Sequence, residues 1–188
     1  MARRKSDAKR RAILEAATRL IAAEGLGAGA SAIARAAGIP KGSVFTYFET
    51  KTELLNQVYL ELRKEMAETA MEWVREGQSA ADQLARIWEF WMWWAENVPE
   101  KRRAMRQLEG AKEISLETRN AAYEAMAGVG RVVERARAGS RIGKAPLRYV
   151  VGLVVSTAET SMDFMDRDPR NKKSYARAGL EAVGRILG

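Results

Sequence analysis

The sequence predicts an all-α protein with a small three-helix head, joined by a long helix to a larger helical domain. Three observations carry that prediction. Apolar residues recur at three- and four-residue spacing along most of the 188 positions, the period of a helix with one buried face. Short clusters of glycine, proline and small polar residues punctuate those stretches. Finally, Ala32 to Lys51, AIARAAGIPKGSVFTYFETK, reads as a short helix, a glycine turn, a second short helix and the start of a third.

That last stretch is the most specific. Ile33, Ala34, Ala36 and Ala37 give the first piece small apolar contact positions, and Gly38 ends it. Glycine suits the place just past a helix C-terminus because it reaches the left-handed conformation without a Cβ clash. Ile39 continues the apolar side and Pro40 suits a first helical turn, while Lys41, Gly42, Ser43, Thr46 and Tyr47 bring small or hydrogen-bonding side chains. Val44 and Phe48, four apart, are expected to pack inward on the first two helices. Short helices crossing at a glycine turn are the helix-turn-helix pattern, whose second helix can lie in the DNA major groove.

Composition narrows the chemistry. Hydrophobic content is 47%, charged content 30%, net charge +8, values of a globular domain whose basicity favours a polyanionic partner. Residues 1–53 carry ten Lys/Arg against five Asp/Glu, and the rest carries 22 against 19, so the excess sits at the N-terminal end. With neither cysteine nor histidine there is no disulfide framework, no thiolate chemistry and no imidazole base or metal ligand. Asp163 and Asp166 are the nearest thing to a carboxylate pair, and near a helix end such acids are ordinarily solvated or capping. No catalytic residue, metal or cofactor is therefore expected. No run is long enough for a membrane span, and a cytoplasmic protein is expected.

In chain order, residues 1–6 form a basic arm with Arg3, Arg4 and Lys5, read either as a solvated terminus or as a reach to phosphates or a minor groove. Residues 8–24 are helical, with Ile13, Leu14, Ala17, Leu20 and Ile21 on one face and Arg10 and Arg11 on the polar side. The second helix opens near Ala30 or Ser31. Thr50-Lys51-Thr52-Glu53 is a capping box, and from it a helix should run to about Gly77 with Leu54, Val58, Leu62 and Met66 on one stripe.

Residues 79–97 then place four of the five tryptophans in seven positions, among them Trp88, Trp91 and Trp94, beside Met92. Either the rings are hydrophobic core or some of them line an apolar ligand pocket, and their indole N–H groups need partners in both cases. Pro99 starts another helix, and the run Lys101, Arg102, Arg103 and Arg106 reads as a solvated face, or else as a place to recognise an anionic ligand group. Residues 115–138 are helical but interrupted in character at Gly128 and Gly130, and 138–146 form a loop. Leu147 to Met165 is strongly apolar, Asp168-Pro169 is a stop and restart, and a last helix spans about 170–187.

By these residues the head resembles that of the TetR family of bacterial helix-turn-helix regulators. The resemblance runs from Arg10 to about Leu55, most specifically from Ala36-Ala37-Gly38-Ile39 through Tyr47-Phe48 to Lys51. It implies a DNA-binding domain over residues 1–53 and a ligand-binding and dimerisation domain over 54–188. It further implies a homodimeric, ligand-responsive regulator, a repressor, on a double-stranded, pseudo-palindromic operator, with a small apolar or aromatic effector and no membrane. The DNA-binding set is then Ser31, Arg35, Lys41, Gly42, Ser43, Phe45, Thr46, Tyr47 and Lys51, with Tyr47 and Lys51 on phosphates and Lys41 and Thr46 best placed to read bases. Three positions depart from the family pattern: Ala30 and Pro40 stand where a Thr or Ser cap is usual, so that either Ser31 takes over the first cap or that contact is missing, and Phe45 stands where a Tyr is common. Trp88, Trp91, Met92 and Trp94 become pocket candidates. The last two helices would pair with a partner subunit through Val151, Val155, Met162, Ala178, Ala182 and Val183, although an internal core would show the same pattern. The rival readings are an all-helical enzyme and a basic protein that binds nucleic acid without sequence preference.

Overall fold

The computed structural model describes the backbone of residues 2–188 and the side chains from Ser6 onward. Ten α-helices occupy it, and no strand is found among the described residues. In order they are α1 (Ala2–Glu24), α2 (Ala30–Ala36), α3 (Val44–Tyr47), α4 (Lys51–Glu72) and α5 (Ala80–Asn97), then α6 (Pro99–Glu109), α7 (Leu116–Ala125), α8 (Ala127–Ala136), α9 (Leu147–Arg167) and α10 (Lys172–Leu187). The all-α expectation holds. Helix α1 begins at Ala2, so the expected arm belongs to its first turns; the side chains of Arg3, Arg4 and Lys5 lie outside the described residues.

The chain forms two compact units. The first comprises residues 1–64 and 98–124, the second 65–97 and 125–188. Helix α4 runs without a break through the boundary after Lys64, and α6 packs with α1 inside the first unit. Packing therefore groups residues 98–124 with the head, which a single cut after residue 53 does not. Only long-range contacts show this, because α6 reads in the sequence as one more amphipathic helix.

The first unit is built on the apolar faces predicted for its helices. Ile13, Ala17, Ile21, Ile33, Ala34, Val44, Phe48, Leu54 and Val58 are all buried. Ala104 and Leu108 of α6 complete the same unit. Arg10, expected on the polar side, instead fastens the head. Its guanidinium lies 5.1 Å from the centre of the Phe48 ring and donates to Gln57 Oε1 of α4 at 2.9 Å. Arg102, expected in solvent, is buried at 4% exposure, while Arg103 and Arg106 stay on the surface.

A polar cluster ties α4 to the segment following α6. The Asn56 amide donates to the carbonyls of Thr52 and Glu113 and accepts from the Ser115 N–H at 2.9 Å. Buried Arg63 pairs with Glu109, whose other carboxylate oxygen accepts from the Tyr59 hydroxyl at 3.4 Å. Arg119 donates to the carbonyls of Glu109 and Ala111. Burial, partly offset by the Arg63 charge, pushes the Tyr59 phenol above its ordinary pKa.

In the second unit α5 packs against α8, α9 and α10, and α9 runs against α10. Leu84, Ile87, Trp88, Phe90, Trp91, Met92, Trp94 and Ala95 are buried along α5, the wide apolar face that the tryptophan cluster implied. Trp93 is 45% exposed, but its ring rests against Trp73 and Phe90, 5.8 and 6.2 Å away between centroids. Helix α4 stops at Glu72, five residues short of the expected end, where i→i−3 bonds from Trp73 and Val74 close its last turn. The 115–138 stretch divides at Met126. Asp168 and Pro169 mark the stop before α10 as expected, through an intervening 3-10 turn at Pro169–Asn171.

Candidate nucleic-acid interface

Gly38 and its neighbours set the geometry of the motif. After α2 the chain turns at Gly38 with φ +65°. The Ile39 N–H bonds back to the Ala34 carbonyl at 3.0 Å and the Gly38 N–H to the Arg35 carbonyl at 3.2 Å, which is the paired-bond ending that a left-handed glycine permits. A second turn follows, closed by the Ser43 N–H on the Pro40 carbonyl at 3.0 Å, with Gly42 at φ +93°. The sequence placed Lys41 near the start of the second helix. The structure places Pro40 to Ser43 in this turn, and the helix itself is the single turn α3. An L side chain at 42 would be strained there, so Gly42 is needed for the backbone path itself.

Two side chains of α3 and its end anchor the motif. Val44 and Phe48 have exposures of 0% and 1%, and they hold the remaining positions outward. Lys41, Gly42, Phe45, Thr46 and Lys51 are exposed; Ser43 and Tyr47 are half-buried. Phe45 is 49% exposed, unusual for a ring with no core role and suited to apolar contact with a thymine methyl. Ser31 and Arg35 are exposed on α2. All nine predicted positions therefore belong to the first unit, and none is fully buried.

The caps are partly as expected. At the start of α4 the Glu53 N–H donates to Thr50 Oγ1 at 3.0 Å, and the Glu53 carboxylate accepts from the Glu49 N–H at 2.5 Å. The capping box thus fixes where Lys51 begins its helix, with the N–H of Glu49 rather than that of Thr50 taking the return bond. At the start of α2 the N-cap is Gly29, without any side-chain bond. Ser31 does not take over the cap; it sits in the first turn of α2, exposed.

The other predicted residues divide differently. Trp88, Trp91, Met92 and Trp94 all lie in the second unit and are all buried. Trp88 is a packing anchor: its indole N–H donates to the Ala176 carbonyl of α10 at 2.9 Å. A Cβ at Gly179 would come within 2.6 Å of that ring and 2.2 Å of Ser161 Oγ. Among the dimer candidates, Val151, Met162 and Val183 are 4%, 4% and 0% exposed within the unit's own core. Ala178 and Ala182 are exposed and Val155 is half-buried. The outward face of α9 instead shows Tyr149, Gly152, Ser156, Thr160 and Phe164, a one-position rotation that helical spacing alone left open.

The fastening roles of Arg10, Gln57, Asn56 and Glu109 have no signal in the sequence. Their partners stand some fifty residues away in the chain, and no local pattern announces such pairs.

A basic head with a glycine turn, a buried two-residue anchor and an exposed polar rim defines a helix-turn-helix DNA-binding protein. Comparison with known proteins matches that head to a family model. Residues 13–58 match the bacterial regulatory proteins of the tetR family. The fold extends the likeness over the chain. A tetR-family transcription regulator from Shewanella sp. PV-4 superposes with a TM-score of 0.85 at 20% identity, covering 95% of this chain and 97% of that one. A TetR-family regulator from Marinobacter aquaeolei VT8 gives 0.78 at 19% identity, covering 96% and 97%. The regulator FadR from Bacillus subtilis, in complex with stearoyl-CoA, gives 0.71 at 19% identity, covering 92% and 96%. Residues 13–58 thus carry the DNA-binding head that the tetR-family model describes, and the chain as a whole has the fold of these solved transcription regulators. No helix among the described residues is long and apolar enough to cross a membrane.

Proposed function

We propose that this protein is a ligand-responsive transcriptional repressor that binds a pseudo-palindromic operator as a homodimer in the cytoplasm. The observation that carries the reading is the rim around α3: Lys41, Thr46, Tyr47 and Lys51 held outward by fully buried Val44 and Phe48. Residues 1–53 take the DNA-binding role, and residues 54–188 take ligand binding and dimerisation. Lys51 and Tyr47 hold phosphates together with Ser43, while Lys41 and Thr46 read base edges and Phe45 supplies apolar contact. Two heads related by a two-fold axis meet half-sites about one helical turn, ~34 Å, apart.

Dimerisation is assigned to the outward faces of α9 and α10, with Val155, Ala178 and Ala182 kept from the sequence-based set and Tyr149 and Phe164 added as aromatic contacts. The effector is a small apolar or aromatic molecule bound in the second unit. The stearoyl-CoA of the Bacillus subtilis regulator, with its long apolar chain, supports that class. Binding it lowers operator affinity through a coupling of about 1–3 kcal/mol.

The test is a titration of operator affinity against salt, on a site selected from random DNA. Lys51→Ala is expected to weaken binding to every sequence and reduce the salt slope by about 1, whereas Thr46→Ala changes which bases are selected. An unchanged slope for Lys51→Ala would remove that lysine from the interface.

A further inference from the structure

Helix α5 carries a polar atom for which the fold supplies no partner. The indole N–H of Trp91, a residue 1% exposed, is the buried side-chain donor or acceptor without a hydrogen bond among the described residues. Trp88, one turn earlier on the same helix, shows the contrasting case: its N–H reaches the Ala176 carbonyl at 2.9 Å. A buried donor left unmet carries its full desolvation cost, and native proteins leave few such groups without a reason. Phenylalanine or leucine at position 91 would fill apolar space without that cost.

The setting limits what can meet this N–H. Ile87, Trp88, Trp94 and Ala95, three and four positions away on the same face of the helix, are buried, while its charged residues, Asp82, Arg86, Glu89 and Glu96, stand on the exposed face. A single neutral donor on a buried apolar face of α5 matches one neutral acceptor. A carboxylate buried there would lose more hydration than one neutral hydrogen bond returns.

We propose that the Trp91 indole N–H is the polar reading point of the effector site, and that the effector is an apolar molecule presenting one neutral carbonyl oxygen, as in a ketone, ester or thioester. This rests on the assignment of the second unit as the effector-binding domain. The carbonyl accepts the Trp91 hydrogen bond, and the apolar remainder packs against buried apolar side chains of the second unit. A hydrocarbon of the same shape makes the same apolar contacts but leaves the donor unmet, so the site discriminates by one hydrogen bond.

The experiment uses the full chain with 15N-labelled indoles and two shape-matched probe pairs: 2-acetylnaphthalene with 2-isopropenylnaphthalene, and 2-undecanone with 2-methyl-1-undecene. Trp91→Phe identifies the Trp91 indole signal. Replacing Trp91 by 3-benzothienylalanine exchanges N–H for sulfur at nearly constant volume, and so keeps the test open where Trp91→Phe fails to fold. At least one ketone should bind about five-fold more tightly than its alkene, as one neutral hydrogen bond provides, and should move the Trp91 signal. The preference should vanish in the benzothienyl protein, whose melting temperature without probe should equal or exceed the parent's. Equal binding within both pairs, no binding by either, a Trp91 signal unmoved at ketone saturation, or a lower melting temperature for the benzothienyl protein each overturns the proposal. Operator affinity measured alongside separates the two levels. A ketone that engages Trp91 without weakening operator binding leaves the site standing and removes its role as an effector site.

Discussion

The turn and helix from Lys41 to Lys51 and the tryptophan helix α5 use side chains in opposite ways. In the first, two buried residues support a rim of exposed and half-buried ones, so the groups proposed to contact DNA are those the core does not use. In the second, the conspicuous residues are themselves the core, and any binding role must be shared with packing. The difference shows where a family resemblance can be carried over by position and where it cannot. A surface contact set depends on local backbone geometry, while a buried cluster depends on which neighbours arrive from distant parts of the chain.

Mutations can break or sharpen that contrast. The largest effect is expected at Phe48, whose ring is buried and covered by Arg10. Phe48→Ala should cost about 3–5 kcal/mol, seen in denaturant unfolding, together with loss of operator binding, because the rim loses its support. Next is Gly179, where the added methyl meets Ser161 and Trp88 at 2.2 and 2.6 Å. Gly179→Ala should destabilise near the upper end of the ~1–3 kcal/mol range for overpacking. Measured well below the melting transition, it should leave the salt slope of DNA binding unchanged; a changed slope would show that the second unit's packing shapes the contact set.

Asn56→Ala should cost about 1–2 kcal/mol, since the Ser115 N–H and the Glu113 carbonyl lose their shared partner. A melting curve indistinguishable from the parent's would mean the Asn56 bonds are replaced by solvent.

The smallest effect is at Asp168. Hydrogen bonds from Asn171 and Tyr175 hold its carboxyl below the usual carboxylate range, so its contribution is present above the unfolded-state value and is lost as pH falls through the folded one. The same bond raises the Tyr175 phenol, whose contribution is lost as pH rises through its folded value. Asp168→Asn should flatten the acid limb of melting temperature against pH; an unaltered limb would place the carboxylate's partners in water.

The sequence by itself determined the all-helical class, the glycine turn at Gly38, the inward pair Val44 and Phe48, the capping box at Thr50 and the wide apolar face of α5. Each is a local property, set by helical period, by backbone freedom or by a cap three residues away. Between the anchored positions Val44 and Phe48, Phe45 and Thr46 are exposed and Tyr47 half-buried, because residues between two core positions one helical turn apart have nowhere else to point. Only the tertiary structure decided that α6 packs with the head, that Arg10 and Asn56 are fasteners, and that Trp88 is tied to α10 while the Trp91 N–H is left unmet. It likewise decided which edge of α9 and α10 faces out, where Val151, Met162 and Val183 proved internal. Those outcomes depend on pairs of residues far apart in the chain, and the free energy of such a pair appears only when folding brings both members together.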